Sequence, residues 1–155
     1  MNGVRMELKK YRRGIFIVVY AIVKNKPQYL ILKRKLHWKG WEFPKGGVEY
    51  KKFYETLLMA MRREVKEETG LKILGIKKFD ISGKYRYDKK YSDRKNFVGQ
   101  TFEKLYAVEV EKSKVELDKK EHSDYKWVDF SDAVKKLKWK NQKDCLRIVD
   151  GWLDI

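Results

Sequence analysis

One cysteine in 155 residues, Cys145, rules out an internal disulfide and fits a chain kept in the reducing cytosol. It falls among apolar residues at helical spacing, so it reads as a core residue rather than a nucleophile. No apolar run approaches the roughly 20 residues of a membrane span. Met1 to Arg13 is polar and basic without an apolar stretch, which argues against a signal peptide and for a cytoplasmic location without a membrane partner. There is no internal repeat and no low-complexity linker. A chain of this length suits a single domain over residues 1–155 with a substantial core, and 43% hydrophobic content is ordinary for one. Acidic residues are the scarcer charge: 22 Asp+Glu against 38 Lys+Arg leave a net charge of +16. Such a surface attracts phosphate-rich ligands, namely nucleic acid, nucleotides or other polyanions. A uniformly solvated, lysine-rich surface gives the same count, so charge by itself selects no ligand.

Hydrophobic periodicity places the elements. Ile15 to Val23 reads as a buried strand, and Tyr29 to Lys33 as its hairpin partner after a turn at Asn25-Lys26-Pro27. A Gly- and aromatic-rich segment, Trp38 to Gly47, follows. A helix is expected from about Phe53 to Thr69, with Tyr54, Leu57, Leu58, Met61 and Val65 as its apolar stripe and Gly70 as a left-handed stop. Leu71 to Tyr87 reads as strand broken by Gly83, Asp88 to Asn96 as a polar loop, Phe102 to Val110 as an alternating strand and Tyr125 to Val128 as a short one. Ser131 is expected to cap a helix reaching about Lys138, and Asn141 to begin a last helix ending near Leu153. Strands on both sides of a central helix, with helices at the end, predict a mixed α/β sandwich.

The densest chemistry lies in Arg63-Glu64-Val65-Lys66-Glu67-Glu68-Thr69-Gly70-Leu71. On a helix, Glu64, Glu67 and Glu68 crowd onto one side, being i, i+3 and i+4. At about 100° per residue, Glu68 lies near the direction of Met61 at the edge of the apolar stripe, Glu64 flanks it, and Glu67 points further out. An acid aimed partly at the core needs a partner. A hard divalent ion such as Mg²⁺, held by a few carboxylates and substrate phosphates, would supply one. A salt bridge to Arg or Lys, or a plainly solvated acidic face, would serve as well.

These acids belong to a longer pattern. Glu55 precedes Arg63 with seven residues between them, and Gly46 and Gly47 precede both. In order and spacing, Glu55, Arg63, Glu64, Val65, Glu67, Glu68, Gly70 and Leu71 match, and the whole resembles the Nudix box, G-x5-E-x7-R-E-U-x-E-E-x-G-U with U apolar. Ala60 sits where that family usually has a small residue. One feature departs: seven residues rather than five separate Gly47 from Glu55, so the loop Val48 to Tyr54 is two residues longer. The resemblance runs across most of residues 13 to 153. It implies a Nudix α/β/α sandwich with a mixed central sheet. It also implies a Mg²⁺- or Mn²⁺-dependent hydrolase that cleaves a phosphoric anhydride bond in a nucleoside diphosphate linked to another group. By the same resemblance, Glu64 and Glu68 are metal ligands, Glu67 is a ligand or base, and the Gly46 carbonyl is a further ligand. Glu55 and Arg63 form a structural ion pair without a part in proton transfer.

Shorter runs point within the family. Trp41-Glu42-Phe43-Pro44-Lys45-Gly46-Gly47 and Glu121-His122-Ser123-Asp124-Tyr125-Lys126-Trp127 are similar to runs of the asymmetric diadenosine tetraphosphate hydrolases. They imply a phosphate clamp at Lys45 and a metal- or water-facing acid at Glu121; His122 is left outside the catalytic set. Val98-Gly99-Gln100 with Lys104-Leu105-Tyr106 resembles a strand of RNA 5′ pyrophosphohydrolases and of their plant-type tetraphosphatase relatives. Tyr106 is then expected to stack on a base and Arg34 to grip phosphate, although a sheet-packing tyrosine is an equal expectation. The basic and aromatic stretch Lys84-Tyr85-Arg86-Tyr87 to Arg94-Lys95 reads as a grip on a second nucleotide or an RNA strand, or as a solvated loop. The resemblance thus implies cleavage of dinucleoside polyphosphates, for example diadenosine tetraphosphate to ATP and AMP. Its close rival is pyrophosphate removal from 5′-triphosphate RNA, and behind that stands hydrolysis of (d)NTPs. A non-catalytic nucleotide or RNA sensor on the same scaffold is expected to lack one of the box acids, and none is missing here. Monomer and homodimer both stay open.

Overall fold

The computed structural model describes residues 11–48, 55–87 and 97–154. Tyr54 of the expected helical stripe, most of the lengthened loop and the expected polar loop 88–96 lie outside them. Ten strands are present among the described residues: β1 (Tyr11–Arg12), β2 (Gly14–Val23), β3 (Lys26–Arg34), β4 (Gly40–Glu42), β5 (Lys45–Gly47), β6 (Ile73–Phe79), β7 (Gly83–Arg86), β8 (Gly99–Phe102), β9 (Leu105–Val110) and β10 (His122–Val128). The helices are α1 (Leu57–Thr69), α2 (Phe130–Lys136) and α3 (Lys140–Trp152).

The nearly unbroken apolar run of β2 follows from cover on both sides of its sheet. Ile15, Ile17 and Val19 join Leu30, Leu32, Tyr106 and Val108 on one face, under Ala60, Met61 and Val65 of α1. Phe16, Val18 and Tyr20 join Tyr29, Ile31, Leu105 and Ala107 on the other, under Ala133, Cys145, Leu146 and Val149 of α2 and α3. The period of two is therefore intact, but both phases are apolar. The result is a mixed sheet between helical layers, ordered β10-β3-β2-β9-β6. Within it β2 and β9 run parallel, while β3 and β10 are antiparallel. A smaller sheet, β1-β8-β7, lies beside it. Cys145 is buried, as a core residue should be, and burial pushes its thiol up to about 12.

The layout that positions the site is a fork. β2 and β3 pair only near their hairpin, from Val23 with Lys26 to Tyr20 with Tyr29. Beyond it they diverge. β4 takes the free edge of β3 at Leu32 to Arg34, and β5 takes that of β2 at Gly14 to Phe16. The segment Gly40–Gly47 is thereby wedged into the sheet. Gln142 of α3 secures it, its Oε1 accepting from the buried Phe43 amide at 2.8 Å.

Several boundaries differ from expectation. The hairpin turn is Lys24-Asn25, both at positive φ (52° and 65°), as a type I′ turn requires; Pro27, with φ locked near −65°, lies in β3 instead. α1 begins after Thr56, whose Oγ1 accepts from Met59 N at 3.1 Å, and Leu58 is 43% exposed rather than part of the buried stripe. Gly70 does end α1 in the left-handed region (φ 67°). The break in 71–87 falls at Asp80 to Ser82, and Gly83 opens β7 against the Phe102 ring, leaving no room for a Cβ. Phe102–Val110 is two strands, since Glu103 and Lys104 separate β8 from β9. Asp129 caps α2 by accepting from Asp132 N at 2.8 Å, two residues before Ser131, because that position reaches the orphan amide of the first turn.

Candidate active site

Helical geometry sorts the three α1 acids. Glu68 is 3% exposed and Glu64 is also buried, whereas more than half of the Glu67 side chain faces solvent. Arg63 ties the helix to its surroundings. It donates to both oxygens of Glu55 at 2.8 and 3.0 Å, to the Gly47 carbonyl at 2.8 Å, to Glu64 at 2.8 Å and to Glu67 at 3.3 Å. The bidentate grip on Glu55 is the planar recognition that only a guanidinium offers.

The fork brings Gly46 against this helix. A Cβ there would collide with the Glu64 carboxylate, so only glycine permits the approach. The Gly46 carbonyl accepts a long hydrogen bond from Gln100 Nε2 at 3.5 Å. Gly46→Ala is therefore expected to displace Glu64 and lower kcat by about tenfold, with the fold retained, as steady-state kinetics and circular dichroism would show.

β10 supplies the far wall. Its register sets His122 beside Arg34, and the Glu121 carbonyl accepts from Lys35 N at 2.9 Å. Glu68, Glu121 and His122 each offer a ligand atom within 4.8 Å of the others. Burial, then Glu64, Glu42 and Glu121, raise the Glu68 carboxyl well above the usual range. Burial also pushes Glu64 up to about 7 despite Arg63. Glu68 Oε2 is buried with no hydrogen-bond partner among the described residues. Carboxylates so desolvated and crowded demand a proton or a cation. This oxygen-rich set, with one orphaned oxygen, fits a hard divalent ion.

Glu42, to which the sequence assigns no role, is the buried hub of the opposite side. It accepts from Arg34 Nη1 at 3.2 Å, meets His122 Nε2 at 2.8 Å and pairs with Lys45 Nζ at 3.5 Å. Burial would raise its carboxyl, but Lys45, the His122 hydrogen bond and Arg34 together lower it to about 2. The available signal was an acid between two aromatics, Trp41 and Phe43, beside Pro44; a charge there must be paired. Lys45 is held close: its ammonium lies 5.0 Å from the Tyr85 ring centre and 5.8 Å from that of Trp38. Burial disfavours the Lys45 charge, yet Tyr85 and Glu42 outweigh this and keep it protonated.

Two expected ligand contacts are buried. Arg34 is only 7% exposed, and its guanidinium is engaged by Glu42, by the Leu36 carbonyl at 3.0 Å and by Glu121 at 3.9 Å. Its guanidinium is thus turned toward these acids. Tyr106 is 3% exposed on the α1 face of the sheet, so it packs in the core and cannot stack on a base. The aromatic ring at the site is instead Tyr85.

Residues 11–147 match the NUDIX domain family. The chain is 34% identical over 133 residues to an RNA pyrophosphohydrolase of a Nitratiruptor species, covering 82% of this chain and 83% of that protein. It is 35% identical over 121 residues to an 8-oxo-dGTP diphosphatase of Buchnera aphidicola subsp. Schizaphis graminum, covering 77% and 79%. Its fold is similar to that of a C. elegans Ap4A hydrolase, with a TM-score of 0.72 and 23% identity over 92% of this chain and 98% of the other. No helix of the described residues is long and apolar enough to cross a membrane. The match over most of the chain, together with the buried acids of α1, makes this protein a member of the Nudix family, hydrolases of pyrophosphate bonds.

Proposed function

We propose that this enzyme uses Mg²⁺ to hydrolyse dinucleoside polyphosphates asymmetrically, releasing ATP and AMP from diadenosine tetraphosphate. The observation that carries metal-dependent hydrolysis is the buried Glu68, with its orphaned oxygen, set among Glu64, Glu121 and the Glu42–Lys45 pair; the choice of a dinucleoside substrate rests on the Trp41–Gly47 and Glu121–Trp127 runs. Glu64 and Glu68 would hold the ion, and the Gly46 carbonyl, whose residue lies against Glu64, would be a further ligand. A bound divalent ion neutralises polyphosphate charge and lowers the pKa of an attacking water. Lys45 meets phosphate oxygens as a point charge, between aromatic faces at Tyr85 and Trp38. Glu121 is partly open to solvent and adjoins Glu68, which suits it to take the proton of the water. Glu67, the other candidate base, is more exposed and leans on Arg63. Glu55 and Arg63 brace the helix against the Gly47 carbonyl.

A second reading, removal of pyrophosphate from 5′-triphosphate RNA, is favoured by the Nitratiruptor relative and by the charge of +16. The test is parallel incubation with Mg²⁺ and diadenosine tetraphosphate, 5′-triphosphate RNA or dNTPs, with products and kcat/KM compared. ATP plus AMP, formed fastest from the first compound, is the expected result. Preference for the RNA would exchange the two readings, and no turnover of any of them would end both.

A further inference from the structure

Outside the acid cluster, the described surface carries a compact group of aromatic and cationic side chains. The Trp38 and Trp139 rings meet edge to face at 5.2 Å. Lys138 Nζ lies over both, 5.2 Å from one centre and 5.0 Å from the other. Trp139 nevertheless remains 40% exposed, so one face of its ring is open to a flat aromatic partner. The group is held rigidly to the site. Leu137 bridges Trp41, and Lys138 N donates to the Trp41 carbonyl at 3.2 Å, one residue from Glu42. Gly40, at φ 152°, leaves the space in which Trp38 and Lys138 meet. From Lys45, the two indoles lead outward in steps of 5.8 and 5.2 Å. They end at an open groove of about 340 Å³ lined by Trp139, Lys140, Asn141 and Asp144.

We propose that the Trp38–Trp139–Lys138 surface and its groove seat the second nucleoside of the substrate, the one beyond the polyphosphate that Lys45 meets; this rests on the dinucleoside reading above. An exposed indole stacks on any base, and Lys138 stands where it meets a phosphate on the way. Asn141 Oδ1 has no hydrogen-bond partner among the described residues. With a turn of its side chain, that amide can accept from an adenine amino group and donate to the neighbouring ring nitrogen. Asp144, which lines the groove, engages Lys140 at 2.8 Å and Arg147 at 3.1 Å.

The test compares diadenosine tetraphosphate with adenosine 5′-tetraphosphate, which has the same phosphate chain but lacks the second nucleoside. In Trp139→Ala the ratio of their kcat/KM values is expected to fall about tenfold, through KM for the dinucleotide, since a stacked base contributes about 1–3 kcal/mol. An unchanged ratio overturns the proposal. So does an equal loss for a 5′-triphosphate RNA relative to ATP, which would assign the surface to nucleic acid strands. Affinities of the two compounds for the Glu68→Gln protein, with and without Trp139→Ala, read the surface without turnover. If the intact enzyme cleaves neither compound but the affinity ratio still falls, the proposed reaction fails and the nucleoside seat stands.

Discussion

Glu68→Gln is expected to lower kcat by about 10²-fold or more, because an amide keeps the shape of the side chain but not the charge that holds the ion. The same substitution is expected to raise the melting temperature of the metal-free protein. Glu68 is nearly inaccessible, and burial and the neighbouring Glu64, Glu42 and Glu121 all oppose its ionisation. Replacing it with a neutral isostere removes that repulsion. A purely structural glutamate would behave in the opposite way, with its loss costing stability and sparing turnover. Steady-state kinetics in Mg²⁺ and thermal melts in EDTA separate the two, and a variant that is both active and destabilised would refute the metal-holding role.

The second large effect is a pH dependence of stability that divalent ions abolish. Glu64 is pushed up from the ordinary 4.5 to about 7 and Glu68 is shifted the same way. A carboxyl with a raised folded-state pKa contributes its stability below the unfolded value and loses it as pH climbs through the folded one. Metal-free protein should therefore weaken between about pH 4.5 and pH 7, by on the order of 3 kcal/mol for Glu64. Glu42 acts in the other direction. Lowered to about 2, it contributes above its unfolded pKa and stops contributing as pH falls toward that value. Metal-free stability should thus peak near the acidic end of this range. Adding Mg²⁺ should lift the neutral side, because the ion binds the ionised acids of the folded state alone. Melts across pH with EDTA or Mg²⁺ give the check, and a flat metal-free profile above pH 5 would count against the coupling.

How much was legible in the chain depended on how local each cause was. The position of Glu64, Glu67 and Glu68 around a helix follows from 3.6 residues per turn, so inward Glu68 and outward Glu67 can be read from spacing alone. Gly70 can be read as a stop because glycine alone enters the left-handed region without penalty. Tyr106 cannot be placed that way, because β9 is covered on both faces and its alternation carries no sign of inside or outside. Arg34 reads as a phosphate grip in the chain because nothing adjacent to it announces Glu42, which reaches it only when β4 folds back along the edge of β3. The caps of α1 and α2 moved by a few residues because any nearby Asp, Ser or Thr can serve, and packing selects among them.

Residue order alone was enough to establish the family, the sandwich of helices around a mixed sheet, and a set of glutamates crowded on one helix. These rest on periodicity and on a motif contiguous in the chain. Folding in three dimensions was needed to reveal that Glu42 links Arg34, Lys45 and His122, that Tyr106 is core, and that Trp38 meets Trp139. The Glu42 and Trp38 contacts join residues brought together by the opening of the β2–β3 fork or by the docking of α3, and Tyr106 is buried where α1 covers the sheet; proximity created by folding across a sheet leaves no regular spacing behind.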